Sequence, residues 1–134
     1  QAIKYYQQLL NKNPDNPLII NNLAWIYMVL DEPKAMLLAE KAYKIEAEQV
    51  NIADTYASVL LKNKKIEQAI IVLNKAEKLA PDNNTIQFHL AQAYTLQGNK
   101  LKSIAILEKI TGEQDLFPEK EFAQKLLQQL NQSL

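Results

Sequence analysis

NKNPDNPLIINNLAWIY (residues 11–27) and KLAPDNNTIQFHLAQAY (residues 78–94) are two versions of one phrase. Each has a Pro-Asp-Asn turn, an Ile soon after it, then Leu-Ala and a Tyr at matching distances. The same turn followed twice by the same apolar spacing marks an internal repeat, and a repeat constrains a fold before any single element does.

Pro14 and Pro81 lie 67 residues apart, close to two periods of 33 or 34. The midpoint falls in KIEAEQVNIADTYASVL (44–60), where Ala47 takes the place of a Pro. The frame holds around it. Small residues recur at Ala2, Ala35, Ala69 and Ser103, with steps of 33, 34 and 34. Leu23-Ala24, Tyr56-Ala57 and Leu90-Ala91 form a second column. Tyr27, Leu60 and Tyr94 form a third, and Ile19, Ile52 and Ile86 a fourth.

Each unit reads as two helices. Ile19, Leu23, Ile26 and Tyr27 share one face of a first helix by the i, i+3, i+4 rule. Ala69, Ile70, Leu73, Ala76 and Leu79 do the same in a second helix. Pro disfavours helix in the residue before it, and Asp or Asn caps the helix that follows. Gly98 suits the left-handed end of a helix. The spacing predicts eight helices, near 1–12, 17–30, 33–46, 50–62, 66–79, 84–97, 100–111 and 118–132. The first is the second half of a truncated repeat (1–16). Three repeats follow (17–49, 50–83, 84–111), then a turn and a capping helix (112–134). One repeat cannot bury its own apolar face, so neighbours must stack.

Composition narrows the function classes. The 134 residues are 48% apolar, enough for a core in one domain. The chain starts at Gln1 already in helical pattern and is expected to be part of a longer protein. No apolar run approaches the roughly 18–20 residues that span a membrane. Fifteen basic residues balance fifteen acidic ones, and every basic residue is Lys. Without the guanidinium fork, a neutral chain is poorly equipped for nucleic acid. The absence of Cys excludes disulfides and thiol chemistry and leaves the compartment open.

Leu-Ala, Tyr, Ala and Pro in these slots of a helix pair of 34 residues resemble the tetratricopeptide repeat. The resemblance rests on Leu23, Ala24, Tyr27, Ala35, Ala39 and Ala42, on Ala57, Leu60, Ala69, Ala76 and Pro81, and on Leu90, Ala91, Tyr94 and Ser103. Ala fills the family's Gly slot, and Ile20, Ala53 and Gln87 fill its Trp slot. The resemblance implies an all-α, right-handed α-α superhelix of antiparallel helix pairs with a C-terminal capping helix. The Asn-Asn-Leu-Ala-Trp phrase (21–25), the unit shortened near Asp31 to Pro33 and the Phe117-Pro118-Glu119 lead-in also resemble the end of long bacterial repeat proteins. Those proteins are linked to exosortase/PEP-CTERM sorting and exopolysaccharide production. That resemblance implies a periplasmic or envelope setting rather than the cytoplasm, although the sequence itself leaves localisation unknown.

No catalytic or metal constellation emerges. His89 is the sole His and has no Cys or second His nearby. Ser58 and Thr55 lack a His, Asp54 lacks a second carboxylate one turn away, and two glycines make no phosphate-binding loop. The chain is read as a non-enzyme with no cofactor and no metal.

The resemblance places the first helix of each pair on the concave side, where such solenoids bind partners. The predicted partner-binding residues are Asn21, Trp25 and Met28, then Asp54 and Ser58, then Phe88 and Gln92. Trp25, Met28 and Phe88 are apolar where solvent is expected, which suits an extended peptide or a helix. No cationic clamp for a C-terminal carboxylate is present. The expected function is a protein-interaction scaffold for a peptide or protein partner, without nucleic acid or membrane insertion. The alternative is a self-associating module, a homo-oligomer using an apolar N-terminal face at Ile3, Tyr6 and Leu10.

Overall fold

The computed structural model describes residues 1–112 and 114–134, so the expected turn at 111–118 includes one residue, Glu113, that lies outside the described residues. All regular structure among the described residues is helical. The helices are α1 (Ala2–Lys12), α2 (Pro17–Val29), α3 (Lys34–Ile45), α4 (Val50–Lys62), α5 (Ile66–Leu79), α6 (Asn84–Gln97), α7 (Lys100–Ile110) and α8 (Lys120–Gln132). Each lies within two residues of its predicted position at either end.

The Pro-Asp-Asn turns act through their Asn. The Asn16 side chain accepts from the amides of Leu18 (3.0 Å) and Ile19 (3.2 Å), and Pro17 occupies the first helical position. Asn83 accepts from Ile86 N–H at 3.0 Å. The middle unit, where Ala47 replaces Pro, starts α4 from Gln49 with no side-chain cap. Loss of the cap tracks loss of the motif.

The first helices of the three units end alike. The Glu32 amide reaches back to the Tyr27 carbonyl at 2.8 Å, Lys65 to Leu60 at 2.9 Å, and Asn99 to Tyr94 at 2.8 Å. The residue before each amide is left-handed: Asp31 at φ 58°, Lys64 at φ 61° and Gly98 at φ 93°. These are Schellman ends, and only one of them uses Gly. An L-residue in this conformation costs about 1–2 kcal/mol, so two of the three turns carry strain. At the first turn a lysine compensates. Lys62 Nζ donates to the Met28 carbonyl at 2.6 Å and pairs with Asp31 at 2.6 Å, which places a cation at the carbonyl end of α2.

The chain divides into two compact units, residues 1–65 and 66–134. In the first unit α2 packs on α1 and pairs with α3, and α4 packs on both α3 and α2. Its core joins Leu23, Ala24, Tyr27, Ala35, Ala39 and Val59, with Ile20, Ala42 and Ile52 beside them. In the second unit α6 packs on α5 and pairs with α7, and α8 packs on α7. Its core holds Phe88, Ala91, Ile104, Leu107, Ile110, Ala123 and Leu130.

One expectation is corrected here. Ile3, Tyr6 and Leu10 do not form an open apolar face, because they pack against the α2/α3 core. They are turned toward α2, the next helix in the chain.

Lys64→Gly is expected to raise stability by about 1 kcal/mol by relieving the left-handed lysine. Gly98→Ala is expected to lower it by about 1 kcal/mol, because strain and not space opposes the methyl group: its Cβ would meet nothing within 4 Å. Urea unfolding followed by circular dichroism reads both changes.

Candidate functional site

α2 (PLIINNLAWIYMV) is apolar around almost its whole circumference. An amphipathic surface helix has one apolar stripe, whereas this one has two. Ile20, Leu23, Ala24 and Tyr27 are buried in the core. Leu18, Trp25 and Val29 are each just over half exposed (53%, 53% and 54%). Spacings of seven and four place those three on one face, with exposed Asn22 between them. The face is thus an apolar stripe with one amide inside it. Trp25 is at its centre. Leu18 and Val29 belong with it but were not counted among the specificity residues. The signal that identifies them is the density of apolar residues on both sides of a single helix.

The remaining predicted residues divide. Met28 is half-buried and packs against the α2/α3 core. Asp54 and Ser58 are half-buried on α4, which lies against α2. Gln92 is half-buried on α6 in the second unit. Two residues do not sit where a groove residue should. Asn21 is 8% exposed, and its Oδ1 is buried with no hydrogen-bond partner. It flanks Ala24 on the side of α2, a helix covered by both α3 and α4. A buried acceptor without a donor costs about 1–3 kcal/mol. Phe88 is 3% exposed and lies in the core with Ala123 and Leu130 of α8. The sequence reading counted it as solvent-facing, but the helix treated as a cap lies over that slot. Glu119, just before α8, accepts a 2.7 Å hydrogen bond from Thr85 Oγ1 near the start of α6.

Electrostatics in the first unit centre on an aromatic pair. The rings of Tyr43 and Tyr56 lie 5.0 Å apart at 33°, and the Tyr56 hydroxyl makes a long 3.5 Å hydrogen bond to Glu40 Oε2. Burial, followed by the negative charge and hydrogen bond of Glu40, raises the Tyr56 phenol above its ordinary value. His89 stacks obliquely beside Phe88, with centroids 5.8 Å apart. Among the described residues, no three His, Cys, Asp or Glu side chains gather where a metal ion could bind. No helix among them is long and apolar enough to cross a membrane.

The family model described as "Anaphase-promoting complex, cyclosome, subunit 3" matches residues 28–110. No curated protein sequence matches the chain. Among solved structures, MamA from Desulfovibrio magneticus RS-1 superposes with a TM-score of 0.82 at 22% identity, covering 98% of this chain and 73% of that one. A thermophilic TPR protein in Thermus thermophilus gives 0.77 at 14% identity, covering 98% and 72%. Yeast Tom70 gives 0.79 at 22% identity, covering 96% of this chain and 28% of its own. At these identities the likeness is one of fold: all-α, built from tetratricopeptide-type helix pairs.

Phe88→Ala is expected to destabilise the chain by about 3 kcal/mol or more, as a core truncation does, and not to act as a surface change. Chemical unfolding distinguishes the two. The raised Tyr56 value also sets a pH dependence. The unfolded phenol ionises near pH 10 and the folded one only above that. The contribution is therefore complete below about pH 10 and is lost as pH rises through the folded value. The urea midpoint of the native chain should fall more steeply above about pH 10 than that of Tyr56→Phe.

Proposed function

We propose, from the premise that the chain belongs to the tetratricopeptide-type family described as "Anaphase-promoting complex, cyclosome, subunit 3", that it is a non-catalytic scaffold whose first helices hold a peptide or protein partner. One observation carries the reading: the exposed Leu18–Trp25–Val29 stripe on a helix whose other side is core. Soluble proteins seldom leave a tryptophan and two aliphatic side chains aligned in water without a use for them. The stripe offers an apolar anchor. Met28 adds an adaptable thioether at its edge, and Asp54 and Ser58 of the adjoining α4 supply polar contacts. Gln92 contributes separately from the second unit.

The stripe contains no charge, so it selects a partner by apolar side chains and backbone amides. An amphipathic helix or an extended segment with one large apolar residue fits that chemistry. The setting in a bacterial envelope or an exopolysaccharide or protein-sorting assembly belongs to this proposal as well. It rests on the 21–25 phrase and the 117–119 lead-in, and the detection of a secretion signal in the intact gene product tests it.

Peptides selected on the native chain from a displayed random library are expected to bind Trp25→Ala at least about 30-fold more weakly, the size of an anchor loss of about 2 kcal/mol. Far-ultraviolet circular dichroism should be unchanged, since Trp25 is outside the core. Equal affinity for native, Trp25→Ala and Val29→Ser proteins would remove the stripe from the binding site.

A further inference from the structure

The charges cancel over the whole chain but not over its parts. The second helices of the pairs, α1, α3, α5 and α7, carry ten of the fifteen Lys and four Glu. Nine of the fifteen acids are in turns instead. The second helices are thus the basic part of a neutral protein. α3 and α5 each have helices before and after them in the chain, so their outward sides are not left open by the limits of the sequence.

Buried Ala35, Ala39 and Ala42 set the inner side of α3. Its exposed residues are Lys34, Leu37, Lys41, Lys44 and Ile45, which share the opposite arc of about 100°. No acid is among them. Glu40, at the edge of the arc, is half-buried and lies 3.5 Å from both Lys44 Nζ and the Tyr56 hydroxyl. Leu37 is 72% exposed. α5 repeats the pattern 34 residues on: Ile71 (63% exposed), Lys75, Lys78 and Leu79 stand where α3 has Leu37, Lys41, Lys44 and Ile45. Its exposed acid, Glu67, is one turn nearer the helix start and accepts from Gln97 Nε2 at 3.1 Å. Core packing does not account for these columns, since their side chains are in solvent. Lys41 pairs with Asp15 and Lys44 with Glu40, each at 3.5 Å. Exposed pairs of this kind contribute little and yield to another anion. Lys75 and Lys78 make no ion pair among the described residues.

We propose that the outward faces of α3 and α5 are each a peripheral contact with an anionic membrane surface. The ammonium groups reach lipid phosphates while their stems lie along apolar surface, and Leu37 and Ile71 enter the acyl boundary. Lysine and aliphatic side chains alternate within one arc, so the partner must offer anions and hydrocarbon side by side, as the edge of an anionic bilayer does. The absence of Arg agrees, because diffuse attraction to headgroups needs point charges and not a fork. The contact stays at the surface, since no helix among the described residues is long and apolar enough to cross a membrane. The proposal does not rest on the peptide-binding reading, which uses α2.

Cosedimentation of the 134-residue chain with lipid vesicles tests the proposal. The chain should bind vesicles of equal parts phosphatidylglycerol and phosphatidylcholine, stay free of pure phosphatidylcholine vesicles, and be released as salt is raised. A variant combining Lys41→Gln, Lys44→Gln, Lys75→Gln and Lys78→Gln should bind at least about 30-fold more weakly, about 1 kcal/mol for each of the two lysines on a face. Leu37→Ser combined with Ile71→Ser should weaken binding at least about fivefold. All six positions are exposed, so circular dichroism should stay native. Trp25→Ala should bind vesicles like the native chain, which separates these faces from the peptide stripe. No binding to the anionic vesicles, or equal binding to both kinds, overturns the proposal. So does binding that Leu37→Ser with Ile71→Ser leaves unchanged, which would assign the lysines to an acidic polypeptide instead.

Discussion

Close approach of helices through alanine is the constraint on which the rest depends. Ala24, Ala35, Ala39, Ala42, Ala53 and Ala57 in the first unit, and Ala69, Ala76, Ala91, Ala93 and Ala123 in the second, are all at most 4% exposed. Ala24, Ala35, Ala39 and Ala42 lie in clusters that join α2, α3 and α4, and Ala91 and Ala123 in one that joins α6, α7 and α8, where a longer side chain would push axes apart or force strained rotamers. Leu, Ile and Tyr fill the space beside these contacts. Where Ser replaces Ala in this column, at Ser103, the polarity is absorbed locally. Its hydroxyl bonds the Ala91 carbonyl at 2.9 Å and lies 2.7 Å from Thr95 Oγ1. Small size, more than apolarity, is what the column requires.

Reversal between helices is the second constraint. Three Schellman ends close first helices over three different sequences, Asp31, Lys64 and Gly98. The backbone geometry is kept although the residue best suited to it occurs once. At Asp31 the ion pair with Lys62 holds the turn in place, and at Lys64 no comparable partner is seen among the described residues. Packing downstream of the turn outweighs a local penalty of about 1–2 kcal/mol.

The fold was legible in the sequence because its determinants are periodic. Columns of Ala, Leu and Tyr at 33- or 34-residue steps name the buried face of the helices from α2 to α7, and Asn16 and Asn83 mark helix starts through their side-chain bonds. Turn ends at Asp31 and Lys64 were not legible, since neither residue type signals a left-handed backbone. The candidate site was legible in part. Trp25 stands out on composition alone. The spacing also turns Leu18 and Val29 toward the groove side, and burial is what shows them aligned with Trp25 in one exposed stripe.

Asn21 and Phe88 show why a periodic position does not fix an environment. They occupy one slot of the repeat, and in a continuing array that slot faces the next first helix as much as the groove. At Phe88 the next first helix is α8, which contributes Ala123 and Leu130, so a phenyl ring is well placed there. At Asn21 the next is α4, and the side chain is left with a buried, unpaired oxygen. The choice of Phe at 88 therefore reports on the helix that follows. This also explains the lead-in to α8: an aromatic slot in α6 needs an apolar helix over it, and Phe117, Leu126 and Leu127 extend that cover. Identical spacing in two units thus encodes a common backbone, while the residue in each slot records the neighbour it meets.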